Sequence, residues 1–163
     1  MKTMNKTRLA LILLVSLCII LPTASAKRKT FVRVYTVPDF ADFVQYDNSE
    51  TLSNGHVKVD IGYKFFWIAE DGTNLGYAYQ YIVGIDKGDQ AMLHGYGVYY
   101  STLDGKPGTI TYKLGNNYDA DGFWAGRLSI KEGTGYFEGV KGQGVLNFDI
   151  FAFEFYLDKD PWA

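Results

Sequence analysis

The two histidines are the first residues to consider for acid–base chemistry, because histidine is the side chain that titrates near neutral pH. His94 lies in the middle of a strand-like segment, whereas His56 follows a turn and is expected at the surface. If His94 faces the interior with Tyr96 and Met92, it could exchange a proton with a ligand or bind one of its polar groups. A hydrogen bond to a strand neighbour, or a position on the outer face, would leave it without a chemical role. His94 is therefore the one candidate catalytic residue.

An oxygen-rich loop is the one pattern that resembles a metal site. Asn117, Asp119 and Asp121, followed by Gly122, match the opening of a calcium-binding loop. The twelfth position of that motif, where an acidic ligand is expected, is Leu128. Asn and Asp are also common in plain hairpin turns, because they tolerate a left-handed backbone. We expect a plain turn here, with calcium as the alternative, and we expect no other metal and no cofactor.

Other arrangements of catalytic side chains are missing from the sequence. Sugar hydrolysis needs two carboxylates across a cleft, but Asp149 and Glu154 lie close together along one strand, and Glu70 and Asp71 lie in a turn. No G-x-S-x-G segment, phosphate-binding loop or H-E-x-x-H helix is present. The sequence therefore favours a protein that is not an enzyme, but it leaves catalysis open. If it is one, we expect an isomerase or cyclase that acts mainly by orienting its substrate.

Aromatic residues are unusually frequent, with 13 Tyr, 11 Phe and 3 Trp, so they must either fill a core or line a pocket for a small apolar ligand. Many of them alternate with other residues along strand-like segments, which places each set on one face of a sheet. Tyrosine favours a pocket, because a buried hydroxyl needs a partner. The candidate ligand-binding residues are Tyr63, Phe65, Trp67, Tyr79, Tyr81, His94, Tyr96, Tyr112 and Trp124.

Alternating and β-branched segments between glycine-rich turns predict an almost purely β structure. The predicted strands are Thr30–Val37, His56–Ala69, Leu75–Ile85, Ala91–Ser101, Gly108–Leu114, Gly122–Ile130 and Val145–Leu157. A short helical turn is predicted only at Asp39–Tyr46. The apolar phase of the last strand changes near Ile150–Phe151, where we predict a β-bulge. We expect an all-β fold, an antiparallel up-and-down barrel of about eight strands, because closure removes exposed sheet edges.

The first 26 residues have the organisation of a secretory signal peptide. Three basic residues precede an apolar run from 9 to 21, and Ala24-Ser25-Ala26 then supplies a cleavage site. An uncleaved anchor is the alternative, but the run is shorter than the ~20 residues of a membrane span. We expect cleavage after Ala26, a single domain over residues 27–163, a secreted or extracytoplasmic location and no transmembrane span.

The composition of the remaining domain excludes several further classes of function. Cys18 is the only cysteine and lies in the leading segment, so the domain would have no disulfide and no thiol nucleophile. The chain has a net charge of −2, and the domain without the basic leading residues is more acidic still. Nucleic-acid binding requires a basic stripe, so we expect no nucleic-acid partner.

A glycine-rich stretch at residues 133–144, GTGYFEGVKGQG, separates two strand-like runs. Glycine accepts positive φ and lets two backbones approach closely. A strand follows the stretch, whereas a phosphate site of this kind needs the start of a helix. The stretch therefore predicts a tight bend with a structural role.

The same stretch resembles a segment shared by allene oxide cyclases, dirigent proteins and a bacterial group of small barrels related to them. The preceding residues 122–131, GFWAGRLSIK, and the turn Asp71-Gly72-Thr73 also resemble that bacterial group. The resemblance implies an eight-stranded antiparallel barrel with an apolar interior, often assembled as dimers or trimers, so this chain could form a homo-oligomer. The motif glycines are structural, and no segment matches the cyclase or dirigent active sites, so no catalytic residue is carried over.

Three functions are compatible with these patterns. The first is an exported barrel that binds a small hydrophobic or aromatic ligand in its interior, and the second is an isomerase or cyclase acting there. The third is an extracellular glycan- or protein-binding module that uses exposed tyrosine and tryptophan. An apolar interior cavity with a polar residue at its base would favour the first two. A filled barrel with tyrosine and tryptophan on the outside would favour the third.

Overall fold

The computed structural model describes residues 28–118, 125–147 and 149–163. The predicted signal peptide, residues 1–26, lies outside these ranges. The strands are β1 Thr30–Pro38, β2 Val44–Asp47, β3 Glu50–Thr51, β4 Val57–Ile68, β5 Asn74–Asp86, β6 Ala91–Ser101, β7 Thr109–Tyr118, β8 Ala125–Gly133, β9 Gly142–Asn147 and β10 Ala152–Leu157. A one-turn 3₁₀ helix, Gly135–Phe137, lies between β8 and β9. Within these ranges no helix is long and apolar enough to cross a membrane.

Eight of the strands close into an antiparallel barrel. From β4 to β10 each strand pairs with the next along the chain, β10 pairs with β1, and β1 pairs back to β4. The short strands β2 and β3 pair with the first half of β4, which β1 does not reach. They therefore cover an edge that would otherwise expose unpaired backbone groups. The predicted all-β, up-and-down barrel is confirmed, with two additional short strands.

The last predicted strand is in fact two strands. Asn147 pairs with Ala152, so β9 and β10 form a hairpin whose turn ends at Phe151. The prediction of a β-bulge near Ile150–Phe151 is therefore wrong: the apolar phase changes because the chain reverses direction. The predicted helical turn at Asp39–Tyr46 is shorter than expected. Asp42 N donates to Asp39 O at 2.9 Å to form a single turn. Strand β2 follows this turn, and it is too short to be predicted from periodicity.

Large rings fill one end of the barrel, where the connections 69–73, 102–108 and 134–141 meet. Trp67 stacks on Tyr99 with ring centroids 4.4 Å apart. Trp162, near the C-terminus, packs edge-on against Trp67 and donates its Nε1 hydrogen to Tyr99 Oη at 3.2 Å. Burying one such ring contributes roughly 1.5–3 kcal/mol. The fully buried rings are Trp67, Tyr99, Tyr112, Phe137, Phe153 and Phe155.

The glycine-rich stretch turns the chain over this filled end. Gly135 and Gly139 have φ values of 59° and 74°, where glycine is favoured because it has no Cβ. A Cβ on Gly133 would lie only 2.0 Å from Phe137 O. This close approach lets Phe137, which is fully buried, enter the end of the barrel. The predicted tight bend is confirmed, and its structural role is to place this ring.

We predict that Gly133→Ala lowers the free energy of unfolding by about 1–3 kcal/mol, because the added Cβ must displace the Phe137 backbone. Gly115→Ala is the matched control, since a Cβ at this strand glycine would meet no atom within 4 Å. The control should be neutral or stabilising by up to about 1 kcal/mol. Urea denaturation of both variants measures the difference, and equal losses would contradict the packing role of Gly133.

Candidate ligand cavity

The end of the barrel opposite the filled one contains a cavity of about 250 Å³. This volume is larger than the ~150 Å³ of an apolar cavity that takes up benzene. It is slightly below the ~300 Å³ at which sites for drug-sized molecules begin. A molecule of one or two rings would therefore fit. The cavity is lined by the aliphatic side chains of Val59, Ile61, Ile82, Leu93 and Leu146, by the aromatic rings of Phe43, Tyr63, Phe65, Phe151 and Phe153, and by Thr36, Pro38 and Gln80.

The cavity exists because the interior side chains change in size along the barrel. On β4, the inward positions run from Val59 and Ile61, through Tyr63 and Phe65, to Trp67 at the filled end. The aliphatic side chains are too small to meet across a barrel whose circumference is set by eight strands. The interior is consequently packed at one end and open at the other.

Gln80, at the floor of this cavity, belongs to a buried polar pair with Tyr112. Tyr112 is completely buried, and its hydroxyl donates to Gln80 Oε1 at 3.2 Å. Tyr112 reaches Gln80, two strands away, because the residue between them is Gly97. A Cβ on Gly97 would lie 2.3 Å from the Tyr112 hydroxyl. Burial raises the pKa of the Tyr112 phenol well above its usual value, so the pair is uncharged at neutral pH.

The hydrogen bond with Tyr112 also orients the Gln80 side-chain amide. A buried hydroxyl needs an acceptor, and in the part of the chain that is described Gln80 Oε1 is the acceptor that Tyr112 has. Gln80 is only 6% exposed and lines the cavity. Its Nε2 group makes no hydrogen bond to any described residue. The floor therefore presents amide N–H donors to an apolar space.

Two aromatic residues mark the mouth of the cavity. Tyr63 stacks on Phe43 with centroids 5.0 Å apart. Burial first, and the negative charge of Asp47 second, raise the pKa of Tyr63. Phe151 has a φ of 48°, a left-handed conformation that costs a residue with a Cβ about 1–2 kcal/mol. Hydrogen bonds from Thr36 N and Oγ1 to Phe151 O, 2.7 and 2.8 Å long, hold it there.

The structure separates the nine candidate ligand-binding residues. Tyr63 and Phe65 line the cavity. Trp67 and Tyr112 are fully buried in the packed core, and Tyr112 reaches the cavity only through Gln80. Trp124 lies outside the described residues.

The remaining four candidates, Tyr79, Tyr81, His94 and Tyr96, lie on the outer surface of β5 and β6. Inward and outward positions alternate along a strand, and on β5 the inward positions are those of Gln80 and its neighbours two residues away. His94 pairs with Val83 on the outer face, so it does not reach the interior. Tyr81 and Tyr96 stack on each other instead, with centroids 4.9 Å apart.

Gln80 is the functional candidate that the sequence reasoning missed. The signal was its place as a polar residue directly between Ala78 and Ile82 on the same face of β5. Period-two alternation places Gln80 opposite the tyrosines, whereas the frequency of tyrosine predicts that the tyrosine face lines the pocket. A glutamine between two small or aliphatic residues on one strand face indicates a polar group that points into an apolar interior.

The loop that offers calcium as an alternative to a plain turn lies mostly outside the described residues. Asp119 and Asp121 are not among the described residues, and Asn117 belongs to β7. In residues 28–118, 125–147 and 149–163, no three His, Cys, Asp or Glu side chains are grouped so as to hold a metal ion.

A second, wider depression of about 910 Å³ runs along the outer surface of β8 and β9. These strands pair only over Gly126–Ser129, which leaves a shallow groove beside them. Four cationic side chains, Lys29, Arg127, Lys131 and Lys141, contribute to its lining. The groove is open and solvated, so it is a poor site for a small apolar molecule.

No protein-family model, curated protein or solved structure matches this chain. The geometry and chemistry of the cavity are therefore the grounds on which a function can be proposed.

The raised pKa of Tyr112 gives a pH dependence of stability. The folded protein holds the phenol proton more tightly than the unfolded chain, so stability is retained below about pH 10 and lost as the pH rises further. Tyr112 alone should contribute a slope of about −1.4 kcal/mol per pH unit there. Tyr112→Phe should remove this part of the slope, as measured by urea denaturation between about pH 9 and pH 11.5. Parallel profiles for the two proteins would show that the phenol is not protected by the fold.

Proposed function

We propose that this chain is an exported barrel that binds a small hydrophobic or aromatic ligand in the cavity above Gln80. The observation that carries the proposal is the cavity itself, an apolar space of about 250 Å³ in a barrel otherwise packed with rings. The cavity opens at the end of the barrel, so water can enter it, and a ligand that displaces this water from the aliphatic and aromatic walls gains about 25 cal/mol per Å² of apolar surface buried.

Two features of the sequence support the remaining parts of the proposal. The organisation of residues 1–26 supports export. The resemblance of residues 133–144 to the allene oxide cyclase-like and dirigent-like barrels supports a relationship with proteins that have an apolar interior. A homodimer or homotrimer belongs to the same proposal.

Binding is better supported than catalysis in the cavity. Among the described residues that line it, Tyr63 is the only one with a titratable side chain. Its raised pKa keeps it protonated at neutral pH, so it would not act as a base. An isomerase or cyclase would have to work through orientation of the substrate alone.

The outer tyrosines of β5 and β6 support a second candidate function, the binding of a glycan or protein at the surface. Tyr96 is 49% exposed, although Tyr81 stacks beneath it. Tyr77 and Tyr100 form a second stacked pair, with centroids 5.3 Å apart. Flat aromatic faces with hydroxyl groups at their edges suit a partner that has both apolar and polar atoms.

Naphthalene is a suitable apolar probe for the first proposal. We expect the protein to bind it, and we expect Leu146→Phe to weaken binding by at least about tenfold, because the added ring would occupy the cavity. Val145→Phe is the matched control, since Val145 is the adjacent residue and is exposed on the outer face of β9. It should leave the affinity unchanged. Both affinities can be measured by naphthalene fluorescence. A wild-type protein that ignores naphthalene, or equal effects of the two variants, would refute the cavity as a ligand site.

The second candidate has a separate test. If the outer tyrosines bind a glycan, Tyr96→Ala and Tyr100→Ala should each weaken retention on an array of immobilised oligosaccharides by about two- to tenfold, the usual contribution of one aromatic contact. Naphthalene binding should be unaffected, because these residues do not line the cavity. Retention that is absent in the wild type would rule out the glycan function.

A further inference from the structure

We infer that the cavity selects uncharged ligands that carry a hydrogen-bond acceptor, such as a ketone or ester carbonyl, and that the Gln80 side-chain amide binds this acceptor. The inference rests on the proposed function, because it names the chemical class of the ligand for that same cavity. Gln80 becomes the residue that determines specificity.

The first support is the unsatisfied donor group. Gln80 is only 6% exposed, and its Nε2 has no acceptor in the described part of the chain, although solvent in the cavity still reaches this atom, unlike the unpartnered Trp67 Nε1. A ligand that fills the cavity would exclude water from Nε2, and a polar group that is buried without a partner is costly. A ligand acceptor at the floor of the cavity would supply the missing partner.

The second support is that the donor is held in place before a ligand arrives. Tyr112 donates to Gln80 Oε1, and this fixes which end of the amide faces the cavity. Tyr112 is itself fully buried and passes over Gly97, where any side chain would collide with it. A rigid donor loses less entropy on binding than a mobile one. The Gly97–Tyr112–Gln80 arrangement is therefore a preorganised recognition element.

The third support concerns charge. The described lining of the cavity contains no Lys, Arg or His side chain that could neutralise an anion. An ionised carboxylate that enters an apolar space without a cation loses far more hydration energy than one amide hydrogen bond returns. A neutral carbonyl has a much smaller hydration cost and accepts the same hydrogen bond. The site therefore excludes carboxylates and accepts ketones, esters and similar groups.

Three probes of nearly equal shape test the inference: acetophenone, α-methylstyrene and benzoate. The first has a neutral carbonyl, the second has a C=CH₂ group in its place, and the third has a carboxylate. Each is a benzene ring with a three-atom substituent, which suits a cavity larger than a benzene site. Dissociation constants are measured by NMR titration of the purified protein.

The control protein is the double variant Gln80→Met/Tyr112→Phe. It removes both partners of the hydrogen bond with little change of shape, a replacement that is often nearly neutral for stability. We expect the affinity ratio of acetophenone to α-methylstyrene to be about three- to tenfold higher in the wild type than in the variant, the range of one hydrogen bond. Benzoate should bind the wild type at least about tenfold more weakly than acetophenone.

The outcomes separate this inference from the proposal on which it rests. If both uncharged probes bind and their affinity ratio is the same in the two proteins, the cavity binds ligands but Gln80 does not select them. If neither uncharged probe binds the folded wild type, the cavity function fails and the inference fails with it.

A measurement without any variant gives a further check, since the carbonyl carbon of bound, carbon-13-labelled acetophenone should resonate downfield of its position in hexane. A hexane-like shift would overturn the hydrogen bond.

Discussion

Closure of the sheet through β1, which pairs with both β10 and β4, is the constraint on which the rest of the structure depends. Eight strands set the circumference, and the circumference sets how much volume the inward side chains must fill. Closure also satisfies the backbone groups at edges that would otherwise be free to pair with another chain. Once the barrel is closed, the sizes of the interior side chains alone decide where it is solid and where it is hollow.

The chain distributes its interior side chains unevenly within that fixed volume. Rings of Trp67, Tyr99 and Phe137 pack one end, and the glycines at 133–144 let the connecting segment approach closely enough to insert the last of them. This dense packing has a cost, because Trp67 Nε1 is buried without a partner among the described residues. At the other end, valine, isoleucine and leucine leave the cavity. Burial of the rings at the packed end stabilises the fold, and this offsets the smaller apolar burial at the end that holds the cavity.

The strands, their antiparallel order and the barrel could be predicted from local patterns, because alternation and turn chemistry act over a few residues. The hairpin at Phe151 could not be predicted in this way. A chain reversal and a β-bulge both change the apolar phase of a strand. They differ only in whether the segments before and after the change pair with each other, as β9 and β10 do. The short strand β2 also escaped prediction, because four residues at the surface carry little periodic signal. Its existence depends on the free first half of β4 beside it.

Local sequence assigns the residues of each strand to two faces, because side chains alternate with period two regardless of the environment. Which of the two faces points inward depends on how the strands assemble into the barrel. On β4 the apolar face is interior, as its composition indicates, but on β5 the tyrosine face is exterior and Gln80 is interior. Tyrosine suits either side, since its ring is apolar and its hydroxyl is polar. The contact of Gln80 with Tyr112 over Gly97 joins residues from β5, β6 and β7, and the pairing register of these three strands is what brings them side by side.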